Sequence, residues 1–247
     1  MSFQDHFSTQ ASGYAKARPV YPSDLFVQLA RLAPGRRLAW DAGTGNGQAA
    51  VALAAHFGRV VATEPSQAQL AQAVAHPRVD YLVSAETAPM LADASVDFVT
   101  VAQAVHWFNR ASFYAEAKRV LRPGGVLAIW SYELCLITPG INEVLQLFYR
   151  GAIWPCWPPE RRHVEAGYRD FDFPFQEIPF PARTMEHAWT LAEFAAYLRT
   201  WSSVVRYKRE SGIDPVSALE AELAVLWGDG RRPIVWPLAG RVGRHAG

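Results

Sequence analysis

Apolar residues recur along this chain in two alternating rhythms. Short runs at Leu38-Ala39-Trp40, Val60-Val61-Ala62, Val79 to Val83, Asp97 to Ala102 and Val126 to Trp130 predict strands. Between them the apolar positions fall at helical spacing. One helix carries Leu25, Phe26, Leu29 and Leu32 behind a Ser23 cap, and another runs from Ala49 to Phe57. A third carries Ala68, Leu70, Ala71 and Val74 behind Ser66, and a fourth runs from Arg110 to Leu121. Strands and helices alternating through short connections predict an α/β fold, a doubly wound and mostly parallel sheet covered on both faces. Arg122-Pro123-Gly124-Gly125 reads as a turn before the fifth strand.

After Leu136 the rhythm breaks. Prolines, tryptophans and charges crowd residues 150–183, which reads as an irregular, ligand-covering insertion. Thr190-Leu-Ala-Glu193 is a capping box opening a helix with Phe194, Tyr197, Leu198 and Trp201 on one face. Asp214 and Pro215 start another, with Val216, Leu219, Leu223 and Leu226 apolar and Gly228 closing it. Pro233 to Leu238 predicts a last strand, placed at a sheet edge by its two prolines. The expected organisation is a single domain over 1–247, with an arm at 1–25 and a core at 36–135. A cap insertion at 137–215 and a closing helix and strand at 216–247 complete it.

Composition narrows the function. Half of the 247 residues are apolar and 19% are charged, enough to bury a sizeable core. Lys plus Arg number 24 against 23 acids, and without a basic run there is no electrostatic footprint for nucleic acid. Cys135 and Cys156 are too few for a disulfide scaffold, and no residues show metal-ligand spacing. MSFQDHFSTQ lacks a signal-peptide pattern, and Gly124 to Asn142 is interrupted by Glu133 and Pro139, so a cytoplasmic protein without a membrane span is expected. Nine tryptophans within an aromatic share of 13% suggest a bulky apolar pocket for a small molecule.

The chemistry concentrates in Asp41-Ala42-Gly43-Thr44-Gly45-Asn46-Gly47, between a strand and a helix. Alternate glycines let backbone approach a ligand closely, and the helix beyond offers unpaired N–H groups. A dinucleotide fingerprint counted from Gly43 would need glycine at Gln48, and a phosphate loop would need Lys-Ser/Thr after Gly47. A nicotinamide-dependent oxidoreductase is therefore the weaker alternative, and an inactive cofactor-binding module is a third reading.

The pattern Asp/Glu-x-Gly-x-Gly-x-Gly resembles the first motif of class I S-adenosylmethionine-dependent methyltransferases. Further motifs follow in that family's order: Glu64 at the end of the second strand, Ser84-Ala85-Glu86 after the third, Asp97 to Gln103 at the fourth, and Arg119 to Gly125 before the fifth. Gln103-Ala104-Val105-His106-Trp107-Phe108 and the arm Tyr14-Ala-Lys-Ala-Arg18-Pro-x-Tyr21-Pro resemble a branch that includes trans-aconitate methyltransferase-like proteins. The resemblance implies a seven-stranded Rossmann-like sheet and S-adenosylmethionine as cofactor. It also implies a methyl group passed to a small-molecule acceptor, a carboxylate or a hydroxyl.

On that resemblance, the cofactor-binding residues are Tyr14, Arg18, Asp41, Ala42, Gly43, Thr44, Gly45, Gly47, Glu64, Pro65, Ala85, Glu86, Gln103, Ala104 and Trp107. Glu64 is expected on the ribose hydroxyls, Arg18 on the cofactor carboxylate, and Tyr14 near the sulfonium or ribose. His106 is the candidate general base, with a packed, cofactor-positioning histidine as the other reading. Trp201 and Arg199 are candidates for the acceptor. Arg199 and Arg206 are expected seven apart on one face of the Thr190 helix, while Trp154, Trp157 and Trp189 are expected in the core of the cap.

Overall fold

The computed structural model describes residues 18–247, so Tyr14 and the first part of the arm lie outside the described residues. The order is α1 (Ser23–Leu32), β1 (Leu38–Ala42), α2 (Gln48–Ala54), β2 (Arg59–Glu64), α3 (Gln67–Leu70), β3 (Val79–Val83) and β4 (Val96–Ala102). It continues through α4 (Arg110–Val120), β5 (Leu121–Tyr132), α5 (Pro139–Arg150), α6 (Arg161–Glu165), β6 (Gln176–Ile178) and β7 (Thr184–Trp189). Last come α7 (Leu191–Leu198), α8 (Ser202–Ser211), α9 (Pro215–Trp227) and β8 (Arg232–Arg244).

Among the described residues the sheet has eight strands rather than seven, in the order β3-β2-β1-β4-β5-β8-β6, with β7 also beside β8. The five strands β1 to β5 are parallel, and β8 runs antiparallel to β5, β6 and β7. Their successive residues feed two cores. Val126, Ala128 and Trp130 of β5 face α1, α2 and the cap helices, while Leu127 and Ile129 face α4 and Tyr168. Alternate side chains of a strand point to opposite faces, and here both faces are covered.

Several elements depart from the sequence reading. Ser23 is already helical and Pro22 is the cap residue of α1, so no side chain caps that helix. α3 is short, although Ser66 does cap it by accepting from Gln69 N. Arg122 to Gly125 do not end the chain's path before β5. They bulge out of it: β5 spends those four residues between Val96↔Leu121 and Phe98↔Val126, where β4 spends only Asp97. Gly124 takes φ +78° in the bulge, and Arg122 reaches back to Asp97 at 3.0 Å. β8 is not an edge strand. Its proline-bearing first half lies beside β7, and the Pro237 carbonyl still accepts from Glu133 N, so the missing N–H groups do not stop it entering the sheet. In α9 the buried positions are Val216, Leu219, Leu223 and Trp227, and Leu226 is exposed.

The capping box holds, with Thr190 Oγ1 accepting from Glu193 N and Glu193 Oε2 from Thr190 N. That helix nevertheless stops at Leu198. Trp201 becomes the cap residue of α8, which places Arg206 on a different helix from Arg199's turn.

Candidate cofactor and acceptor sites

The carboxyl ends of β1, β2 and β4 open onto a cleft of about 990 Å³. Asp41 ends deep in β1, fully buried, with its Oδ2 accepting from Thr44 Oγ1 at 2.5 Å. Its other oxygen, Oδ1, is buried and has no hydrogen-bond partner among the described residues. Burial pushes the Asp41 carboxyl up to about 7, with the Glu64 charge adding to it and the Thr44 hydroxyl opposing it.

The loop that follows passes through left-handed conformations at Gly43, Gly45 and Gly47, with φ of +67°, +58° and +87°. They serve different ends. A side chain at Gly47 would start 2.2 Å from the Tyr81 hydroxyl, whereas one at Gly45 would meet nothing within 4 Å because it would project into the cleft. Glu64 spans the opening: Oε2 accepts from Gly45 N and Oε1 from Ser66 N, both at 3.0 Å. Gln48 holds the incoming chain, its amide accepting from Tyr21 N at 3.2 Å and donating to Pro19 O at 3.3 Å.

A second cavity of about 710 Å³ adjoins the first. Arg18, Gln103, Trp107 and Tyr132 line both. Arg18 is fastened there by donating to the Tyr132 hydroxyl and to Thr200 O. Gln103 takes φ +59°, an uncommon conformation for a residue with a side chain, and its N–H is tied to Trp130 O at 2.8 Å. Beyond this shared wall lie His106, Trp157, Arg161, Tyr197 and Trp201. His106 is buried, with Nδ1 at 3.0 Å from the Tyr168 hydroxyl. Burial, then the charges of Arg161 and His163, pull its pKa down to about 3, so the imidazole is neutral at ordinary pH.

Of the expected cofactor residues, Arg18, Asp41, Gly43, Thr44, Gly45, Glu64, Pro65, Gln103, Ala104 and Trp107 line the first cavity. Ala42 and Gly47 are not in that lining, and Tyr14 lies outside the described residues. Ala85 and Glu86 are not in its lining. Trp201 lines the second cavity, but Arg199 lines neither and is paired with Asp214 at 2.7 Å and Glu220 at 2.9 Å. Arg206 pairs with Glu210 on the surface. Trp154 is exposed rather than in the cap core. Arg161, Tyr132 and Gln48 escaped sequence reasoning. Arg161 lies in Glu160-Arg161-Arg162-His163, which reads as a solvated run, and only tertiary packing sets it among aromatics.

A profile described as a methyltransferase domain matches residues 40–129. A Dictyostelium discoideum protein named as a methyltransferase is 33% identical over 225 residues, spanning 90% of this chain and 86% of that protein. The chain belongs to the class I S-adenosylmethionine-dependent methyltransferases. A solved structure from Anaeromyxobacter dehalogenans, described as a type II methyltransferase, superimposes with a TM-score of 0.87 at 43% identity, covering 92% of this chain and 98% of that one. A Saccharomyces cerevisiae protein named as an S-adenosylmethionine-dependent methyltransferase is 30% identical over 153 residues, covering 57% of this chain and 51% of its own.

The first cavity of this methyltransferase suits the cofactor on physical grounds. The orphaned Asp41 oxygen offers a buried acceptor to a cation such as the ammonium of the methionine end. The empty side-chain position at Gly45 leaves room against backbone, and the Glu64 carboxylate at the cleft is of the type that would accept from ribose hydroxyls. No helix among the described residues is long and apolar enough to cross a membrane.

Proposed function

We propose that this enzyme methylates an oxygen of a small organic acid held in the second cavity, with an ionised carboxylate as the acceptor. The observation that supports it most is the wall shared by the two cavities, Arg18, Gln103, Trp107 and Tyr132. Because the same four side chains line both cavities, a cofactor in one and an acceptor in the other lie side by side, and such positioning can be worth ~7–11 kcal/mol.

When bound, S-adenosylmethionine supplies a methyl group on a positively charged sulfur, and its transfer to a carboxylate oxygen breaks one S–CH3 bond and forms one O–CH3 bond with no proton to move. The chain's residues do the holding. Asp41, the Gly43 to Gly45 backbone and Glu64 take the cofactor, with Arg18 facing its carboxylate. Trp107 lays an aromatic face at the junction, where a cation is favoured. His106 acts as a neutral hydrogen-bonding group on the acceptor side. A base with a pKa of about 3 draws a proton poorly from a hydroxyl, which favours an acceptor already ionised.

Calorimetry with S-adenosylmethionine and with its demethylated product, followed by a screen of carboxylic acids and phenols with methyl-labelled cofactor, tests the reading. Absence of cofactor binding refutes it outright. Transfer to phenols with none to carboxylic acids refutes the choice of acceptor.

A further inference from the structure

The second cavity holds a cation, Arg161, that has no direct carboxylate partner among the described residues. Arg161 donates its Nε to the Tyr149 hydroxyl at 2.7 Å, and Tyr149 passes a bond to Glu165 Oε1 at 2.7 Å. The terminal guanidinium nitrogens of Arg161 make no hydrogen bond to the protein, and no carboxylate lies within ion-pair distance of them, among the described residues. Charges beside it are paired with others: Glu165 also takes Arg150 at 3.1 Å, and His163 takes Asp170 at 2.5 Å.

The guanidinium also lies against aromatic rings. Its carbon sits 4.6 Å from the Trp157 ring centre and 5.4 Å from that of Tyr149. Trp157 in turn packs against Trp201 at 5.7 Å, and Tyr149 meets Trp201 edge-on at 5.9 Å. Tyr149 takes the Nε–H, which leaves the terminal nitrogens, whose N–H groups can grip a carboxylate. The lining carries Arg18 and Arg161 against one carboxylate, the exposed Glu133, while His106 is neutral. Trp157, Trp201 and Tyr197 give the cavity an aromatic lining against which a flat apolar body can pack.

We propose that Arg161 is the acid-recognising residue of the acceptor cavity, and that the acceptor class is planar aromatic carboxylic acids. This deepens the reading of the same cavity given above and rests on it. The carboxylate edge binds the Arg161 guanidinium and the ring lies among Trp157, Trp201 and Tyr197. Esterification removes the negative charge that Arg161 holds, so the ester product binds more weakly than the acid.

Benzoate, benzamide and methyl benzoate are the probes, titrated by calorimetry into the full chain saturated with the demethylated cofactor. Benzoate is expected to bind at least tenfold more tightly than either neutral probe. Arg161→Gln is expected to bring all three within about threefold of one another, and Arg161→Lys to retain part of the preference. Cofactor affinity, measured first, should stay unchanged in both variants, which confirms that they are folded. If Arg161→Gln fails to bind cofactor, Arg161→Lys and the three-probe comparison on the native chain carry the test. Equal binding of benzoate and benzamide, no binding of any probe, or a preference that survives Arg161→Gln overturns the proposal while leaving methyl transfer standing. Loss of cofactor binding in the native chain instead overturns the methyltransferase mechanism on which it rests.

Discussion

The Tyr168 hydroxyl lies 3.0 Å from Nδ1 of His106, and the two rings are nearly parallel at 24°. Tyr168 is fully buried and takes φ +61°, next to Gly167 at φ +56°. Left-handed backbone at a bulky residue costs of order 1–3 kcal/mol, so the surrounding turn must hold it there. Tyr168→Phe keeps that backbone but removes the hydroxyl, and should destabilise the fold by about 1–3 kcal/mol through an unpaired imidazole nitrogen. It should also shift the tautomer balance of His106, read from imidazole nitrogen chemical shifts. Unchanged shifts would reduce Tyr168 to packing.

His106 gives the protein an acid-side dependence whose sign follows from its depressed pKa. Between about 3 in the folded chain and its ordinary value of 6.5, the unfolded state binds more protons. Stability attributable to His106 is thus present above 6.5 and is lost as pH falls toward 3. His106→Gln should flatten the acid limb of a stability-against-pH curve obtained by urea unfolding at each pH.

Asp41 acts in the opposite direction. Its carboxyl titrates near 7 in the free protein, above its ordinary 3.8, so the folded state loses stability as pH rises through that window. A cationic ligand group beside Asp41 favours the ionised form. Cofactor affinity should weaken as pH drops below 7, and binding at pH 6 should release protons, detectable as a buffer-dependent calorimetric enthalpy. Asp41→Asn should remove both effects.

Glu64→Ala should lower cofactor affinity by about 2–4 kcal/mol, since charge-assisted hydrogen bonds are worth about 1.5–3 kcal/mol each. Equilibrium dialysis measures it, and unchanged affinity in a folded variant refutes the ribose assignment.

Two glycines of one loop should fail in different ways. Gly45→Ala meets no protein atom, so the fold should lose only about 1 kcal/mol while cofactor binding collapses. Gly47→Ala runs into Tyr81 and should instead lower thermal stability. Thermal melts alongside cofactor titrations separate the two.

The parallel half of the sheet was legible because β1 to β5 announce themselves by short apolar runs between helical spacings. The glycine loop was legible because backbone that approaches a ligand leaves a residue-type signature. β6 was not, since Gln176–Ile178 is three residues long and its pairing with β8 depends on a distant segment. Arg199 misled because a cation on a helix carries no mark of its partners, and Asp214 and Glu220 reach it only after α9 docks. Arg161 hid for the converse reason: its setting between Tyr149 and Trp157 is a product of packing alone.

Gln48 occupies the position where a dinucleotide fingerprint would require glycine, and its amide grips Pro19 and Tyr21, which themselves line the cofactor cleft. That part of the cleft's lining is thereby fastened by side-chain bonds outside the sheet's hydrogen-bond ladder. Local opening of such a segment can need far less free energy than global unfolding, so the hold on Pro19 and Tyr21 can be released while the sheet stays intact.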